Sequence, residues 1–113
     1  MKPQDVLSPR GSWQLIDVIW DGTKKGTYWS MAIGRWKDDD GSWRPVLASR
    51  WDGPGDSKGM PISTGHAVWF VMPDEQVEEN LASPNWVKRF ISEEKLPLVR
   101  ALLCKDQQRP SVA

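Results

Sequence analysis

This chain of 113 residues has one cysteine, one histidine and a formal net charge of zero. Cys104 is the single cysteine, so no internal disulfide can form and the sequence does not encode a disulfide-stapled secreted domain. No apolar run approaches the roughly 18 residues of a membrane span, and residues 1–9 lack the apolar core of a signal peptide. These absences predict a cytoplasmic protein that does not enter a membrane.

The charges balance, with 15 basic and 15 acidic residues. A net charge of zero argues against a protein that coats a polyanion and against an acidic mimic of nucleic acid. A Ser-His-Asp triad would have to combine His66 with Ser63 and with Asp52 or Asp56, but no nucleophile-elbow motif surrounds that serine. One histidine and one cysteine cannot complete a structural zinc site. The sequence therefore predicts no enzyme, no metal and no cofactor.

The chain length fits one domain, because two cores of half this size would each be marginal. Residues 1–11 contain two prolines and a glycine and are predicted to be a flexible N-terminal segment. Residues 105–113 are polar and are predicted to be a flexible tail. The predicted domain is residues 12–104.

Runs of tryptophan and β-branched residues predict strands at residues 13–20, 27–36, 43–51 and 67–72. The first two connections contain Asp-Gly steps, which supply the turn residues that close hairpins. Short turns between consecutive strands predict an antiparallel meander of three to four strands. Residues 52–65 hold four glycines and two prolines and are predicted to be a long irregular connection.

The last third of the chain has a helical period. Ser83 is a predicted N-cap, with Pro84 at the first position of a helix whose apolar stripe includes Trp86 and Phe90. Pro97 is expected to end that helix, and a last apolar helix follows it. Strands first and helices last predict an α+β fold, with C-terminal helices packed on one face of the sheet.

Tryptophan is abundant, with eight residues at positions 13, 20, 29, 36, 43, 51, 69 and 86. The tryptophans at the two ends of the first strand, and of the second, are seven residues apart and should lie on opposite faces. Trp43 and Trp51 are eight apart and should share a face. Both faces therefore carry tryptophan, so the face without helices needs a loop, a pocket or an interface against it.

Small residues mark one face of the second strand, where Ser30, Ala32 and Gly34 alternate with bulky neighbours. Two interpretations stay open. Backbone from a loop or helix packs closely on this shallow strip, or the strip receives a flat ligand beside Arg44 and Arg50.

The most patterned stretch opens with Arg50-Trp51-Asp52-Gly53 and continues through a Gly/Pro/Ser loop to His66, Trp69, Phe70 and Pro73. It resembles small bacterial proteins that carry an Arg-Trp-x-Gly step, such a loop, and a Trp-Phe strand ending at proline. The resemblance covers about a fifth of the chain, and it implies no particular activity.

The predicted function is binding, because loops on a rigid sheet commonly display binding groups. The candidate binding residues are Arg50, Trp51, His66, Trp69, Trp36 and Arg44. We expect a small non-enzymatic module, a protein-binding regulator or inhibitor that uses a Trp/Arg-rich sheet face and the loop of residues 52–65. The alternative is a nucleotide or single-stranded nucleic acid, held by tryptophan stacking and arginine contacts. A purely structural interpretation is also open, in which Arg50 pairs with Asp52 or Asp56 and pins the loop.

Overall fold

The computed structural model describes residues 1–104, so the tail predicted at residues 105–113 lies outside the described residues. A short 3-10 helix at Pro3–Asp5 precedes six strands and three helices. These are β1 (Trp13–Asp21), β2 (Trp29–Lys37), β3 (Trp43–Trp51), β4 (Ile62–Ser63), β5 (His66–Ala67), β6 (Phe70–Val71), α1 (Asp74–Ala82), α2 (Pro84–Phe90) and α3 (Leu96–Leu103).

The predicted fold class is confirmed. The main sheet is antiparallel, has the order β1-β2-β3-β6 and is followed by the three helices, which makes the chain an α+β protein. β2 and β3 pair over their full length, from Trp29 opposite Trp51 to Lys37 opposite Trp43. β4 and β5 form a separate two-stranded hairpin.

The fourth predicted strand, residues 67–72, divides into two short ones. β5 pairs with β4 inside the loop region, whereas β6 pairs with β3. Val68 and Trp69 separate them. The backbone groups of Val68 are used elsewhere: its N–H donates to the carbonyl of Pro61 at 3.2 Å, and its carbonyl accepts from Arg50 at 2.6 Å. A residue bonded in this way cannot continue the ladder with β3.

The helices bury one face of the sheet. Ile33 and Leu47, at the centre of β2 and β3, are fully buried in a cluster with apolar residues of the three helices and the residue that follows α2: Val77, Leu81, Val87, Val99 and Ile91. The predicted N-cap is confirmed, since the Ser83 hydroxyl accepts from the backbone N–H of Trp86 at 3.3 Å. The predicted helix end was wrong. α2 ends at Phe90, and Pro97 lies in the first turn of α3, where its missing N–H costs no helical hydrogen bond.

The opposite face of the sheet is covered by a second cluster. Its buried members are Val6, Trp13, Ala32, Val46, Ala48, Ala67 and Trp69. Val6 comes from the segment predicted to be flexible, residues 1–11, yet it is only 1% exposed, and Pro3 is buried too. At Gly34 the shallow strip is covered by a side chain and not by loop or helix backbone, since a Cβ there would overlap the indole of Trp13.

The predicted alternation of tryptophans is confirmed. Trp13 and Trp36 pack in the second cluster, whereas Trp20 and Trp29 pack against the helix-side core. β1 has two register shifts against β2, and each inserts one residue. Two insertions restore the original parity, so the bulges do not exchange the faces.

Candidate functional site

A buried ion pair lies where β3 passes into the loop of residues 52–65. Arg50 Nε is 3.3 Å from Asp52 Oδ1, and both side chains are fully inaccessible to solvent. The Ser30 hydroxyl on β2 donates to the other carboxylate oxygen of Asp52 at 2.5 Å. Burial raises the pKa of Asp52 above its usual value, and the Ser30 hydrogen bond and the Arg50 charge oppose that rise only in part. The two charges share one dry site, so separating them is costly.

The Arg50 guanidinium also holds distant parts of the loop region. Nη1 donates to the carbonyl of Val68 at 2.6 Å, and Nη2 donates to the carbonyl of Lys58. Lys58 in turn donates through Nζ to the carbonyl of Gly65 at 2.6 Å. These contacts match the interpretation in which Arg50 pairs with Asp52 and pins the loop. A buried side chain of this kind acts on a surface site by positioning it.

The loop returns to β3 at Met60. Trp51 and Met60 exchange two backbone hydrogen bonds, of 2.9 Å from Trp51 N and 2.7 Å from Met60 N. Gly59, just before, has a φ of +63°, and a Cβ there would overlap the carbonyl oxygen of Trp51. Only glycine combines this conformation with so close an approach, so Gly59 places Met60 beside Trp51.

Trp51 and Met60 line an open apolar groove of about 350 Å³, called the Trp51 groove below. Its lining residues are Trp29, Ser49, Arg50, Trp51, Met60, Pro61 and Phe70. Three of them are large and exposed: Trp51 by 47%, Met60 by 59% and Phe70 by 56%. Exposed apolar side chains are common singly, but three that share one groove form a patch that calls for an explanation.

The groove lies on the helix side of the sheet. Side chains alternate along β3, so Ser49 and Trp51 share the face of the buried Leu47. Trp29 is opposite Trp51 in the ladder and contacts Phe90 of α2, with ring centroids 5.5 Å apart. The aromatic layer of the core therefore extends into the wall of an open groove.

Two of the predicted site residues that follow the loop, Trp69 and His66, lie in different environments. Trp69 is 6% exposed, donates from its indole N–H to the carbonyl of Val6 at 2.8 Å, and belongs to the second cluster. His66 is exposed and lies opposite Ser63 in the β4–β5 hairpin. Asp52, the acid a triad would need, is ion-paired with Arg50 and accepts a hydrogen bond from Ser30 instead. These contacts do not assemble a nucleophile, a base and an acid.

The other two predicted residues lie away from the groove. Trp36 is half-buried against the second cluster. Arg44 is partly exposed and pairs with Asp38 at 3.0 Å and with Asp74 at 3.3 Å. Of the six predicted residues, the structure therefore brings only Arg50 and Trp51 to the groove.

Sequence reasoning missed Met60 and Phe70. A signal for Phe70 was present, because Trp69 and Phe70 are neighbours in an extended segment and must point in opposite directions. A buried Trp69 therefore implies a Phe70 that faces away from the second cluster. Met60 had no such signal, since its place depends on the glycine turn and on pairing with Trp51.

Within residues 1–104, no three His, Cys, Asp or Glu side chains lie close enough together to hold a metal ion. No helix in that same stretch is long and apolar enough to cross a membrane. Comparisons with protein-family models, with curated proteins and with solved structures found no match. The resemblance to small bacterial proteins accordingly stays a prediction.

Proposed function

We propose that this protein is a small non-enzymatic module that binds a partner protein through the Trp51 groove, as a regulator or inhibitor of that partner. The observation that carries the proposal is the convergence of Trp51, Met60 and Phe70, all about half exposed, on one apolar groove. Tryptophan, phenylalanine and methionine are enriched in protein interfaces, and tryptophan above all in binding hot spots. The expected contact is an apolar side chain of the partner seated among these three.

The shape of the site favours a protein over a small molecule. A small-molecule pocket encloses most of its ligand, whereas Trp51, Met60 and Phe70 stand out into solvent and leave the groove open. Projecting side chains of this kind fit into depressions of a second protein surface. The groove is also rigid at its base, because Gly59 and the Arg50–Asp52 pair fix the loop against β3. A preorganised surface loses less entropy on binding.

The alternative, a nucleotide or single-stranded nucleic acid held at these residues, has weaker support. Arg50 is fully buried and bonded to Asp52, and Arg44 is paired with two aspartates. Phosphate contacts would require guanidinium groups that face solvent.

The bacterial source and the cytoplasmic location also remain proposals, and the single thiol of Cys104 is consistent with a reducing compartment.

The test begins with a photo-crosslinking amino acid placed at Met60 and, as the control, at the exposed Glu75 of α1. The experiment is done in cells that naturally contain the protein. We expect a specific crosslinked partner from position 60 and none from position 75. Equal crosslinks from both positions would contradict the proposal, and crosslinks only between copies of the chain would mean self-association.

The second step uses the purified partner and calorimetric titration. Trp51→Ala should weaken binding at least about tenfold, because truncating an interface hot spot costs roughly 2 kcal/mol or more. Trp43→Ala is the matched control, since Trp43 lies at the other end of β3, on the same face, and is 37% exposed. Equal losses from the two variants would refute the site even if a partner exists.

A further inference from the structure

A second cavity, of about 320 Å³, lies between the β1–β2 turn and α2. It shares no lining residue with the Trp51 groove. Four cationic side chains line it: Lys24, Lys25, Lys88 and Arg89. The lining also includes the buried Ile19 and Ile91, and Ser92, whose hydroxyl accepts from the backbone N–H of Lys95 at 3.3 Å.

One acid, Asp21, also lines this cavity. Its carboxylate accepts from the N–H and the hydroxyl of Thr23 and from the amide of Gln4, at distances between 2.5 and 3.0 Å. Partial burial raises the pKa of Asp21, but these hydrogen bonds outweigh burial and hold that pKa below its usual value. Both oxygens of Asp21 are already engaged, Oδ1 by Thr23 of the turn and Oδ2 by Gln4.

Among the described residues, none of the four cations forms a close ion pair, although Lys24 attracts the Asp21 carboxylate electrostatically. Within residues 1–104, none of them lies within 4.0 Å of a carboxylate oxygen. Four positive groups against one carboxylate leave a local excess of three positive charges, in a chain whose total charge is zero. Such a concentration raises the local density of anions.

We propose that this cavity binds the phosphate or pyrophosphate group of a small phosphorylated molecule. Two lysines from the β1–β2 turn and a lysine and an arginine from α2 line the same cavity, so the cationic groups that would hold one dianion come from two elements. Phosphate oxygens accept several charge-assisted hydrogen bonds at once, which matches this set of donors.

The aromatic rings near the cavity do not offer a stacking surface for a base. Trp20 already contacts Trp29 and Phe90, with centroid distances of 5.7 and 5.0 Å, and Lys25 Nζ lies 4.4 Å above its ring. Arg89 lies 5.3 Å from the ring of Phe90. The cavity therefore contacts the anionic group of the ligand, and the base or carbon skeleton points out of the cavity.

The probe for this site is inorganic pyrophosphate, titrated into ¹⁵N-labelled protein at about 0.15 M ionic strength, where exposed charges are screened beyond roughly 8 Å. We expect saturable shifts confined to the amides of residues 21–26 and 88–92. Sulfate at equal ionic strength and vesicles of phosphatidylglycerol serve as parallel arms. Equal affinity for sulfate, or binding to vesicles without binding of pyrophosphate, would overturn the proposal.

Two variants distinguish a specific pyrophosphate site from general electrostatic attraction of the anion to the protein. Lys88→Gln should weaken pyrophosphate binding at least about tenfold, because a charge-assisted contact contributes roughly 1.5–3 kcal/mol. Lys37→Gln removes the same charge from an exposed lysine at the far end of β2 and should leave the affinity unchanged. Both positions are exposed, so unchanged melting temperatures are expected. Linear shifts without saturation, or equal weakening by both variants, would refute the site.

Discussion

Replacing Arg50 by alanine tests how the Trp51 groove is held in place. The change leaves the Asp52 carboxylate buried with only the Ser30 hydroxyl as a partner, and it removes the donors to the carbonyls of Val68 and Lys58. Breaking a buried ion pair from one side costs about 3–5 kcal/mol, a large share of the roughly 5–15 kcal/mol that stabilises a typical domain. Arg50→Ala should therefore be among the most destabilising substitutions in β3.

Urea denaturation followed by tryptophan fluorescence measures this loss. A loss of about 4 kcal/mol with a slope near 1.5 kcal/mol per molar urea lowers the midpoint by roughly 2–3 M. The matched control is Arg44→Ala, on the same strand and the same face, which removes two ion pairs at side chains that are more than a third exposed. Exposed pairs contribute at most about 1 kcal/mol. Equal losses at both arginines would refute the argument from burial.

Three further substitutions test the packing, the loop and the buried carboxyl. Phe90→Ala should cost about 2–4 kcal/mol in urea denaturation, somewhat below the loss for a fully buried phenylalanine because the ring is only partly covered. Gly59→Ala should cost about 3 kcal/mol or more, whereas Gly55→Ala, with a similar φ but no neighbour within 4 Å, should cost only about 1 kcal/mol. Ser30→Ala removes a hydrogen bond that lowers the pKa of Asp52, so a ¹³C titration of that carboxyl should show a still higher pKa.

The raised pKa of Asp52 also determines whether its contribution to stability rises or falls with pH. Because the folded value is raised, the folded protein holds a proton that the unfolded chain has lost, at pH values between the usual value and the raised one. The contribution of Asp52 to stability therefore falls as the pH rises through that window. Asp21 acts in the opposite direction: its contribution is present above the unfolded pKa and is lost as the pH falls through the lowered folded value.

The main sheet could be predicted from the sequence because its signals are local. Each strand carries its own alternation and each hairpin its own turn residues, and β3 begins and ends at Trp43 and Trp51, the residues that bounded the predicted strand. The bulges at Leu15/Asp17 and Val18/Trp20 could not be recognised in the sequence. Because there are two of them, they leave each tryptophan on the face of the sheet that the alternation predicts. Helix boundaries were less predictable, because Pro97 is compatible both with the end of one helix and with the first turn of the next.

The site was harder to predict because its residues meet through long-range contacts. The interior position of Trp69 depends on the carbonyl of Val6, 63 residues away, which a pattern of neighbours cannot reveal. The proline and glycine content of residues 1–11 predicted a flexible N-terminal segment. That content carries no information about the burial of Pro3 and Val6, which depends on distant parts of the chain. The predicted pairing of Arg50 with a nearby aspartate was available from spacing, but its burial was not.

The edges of the sheet indicate which mode of recognition suits the Trp51 groove. β1 forms one edge, and it is interrupted by two bulges and by Lys95, whose Nζ donates to the carbonyl of Val18 at 2.7 Å and lies 3.3 Å from Asp17. Bulges and lysines are devices that discourage pairing with another chain. β6, at the other edge, is only two residues long. A partner that added a strand would find little backbone to pair with at either edge, so a partner that inserts apolar side chains among Trp51, Met60 and Phe70 fits the surface better.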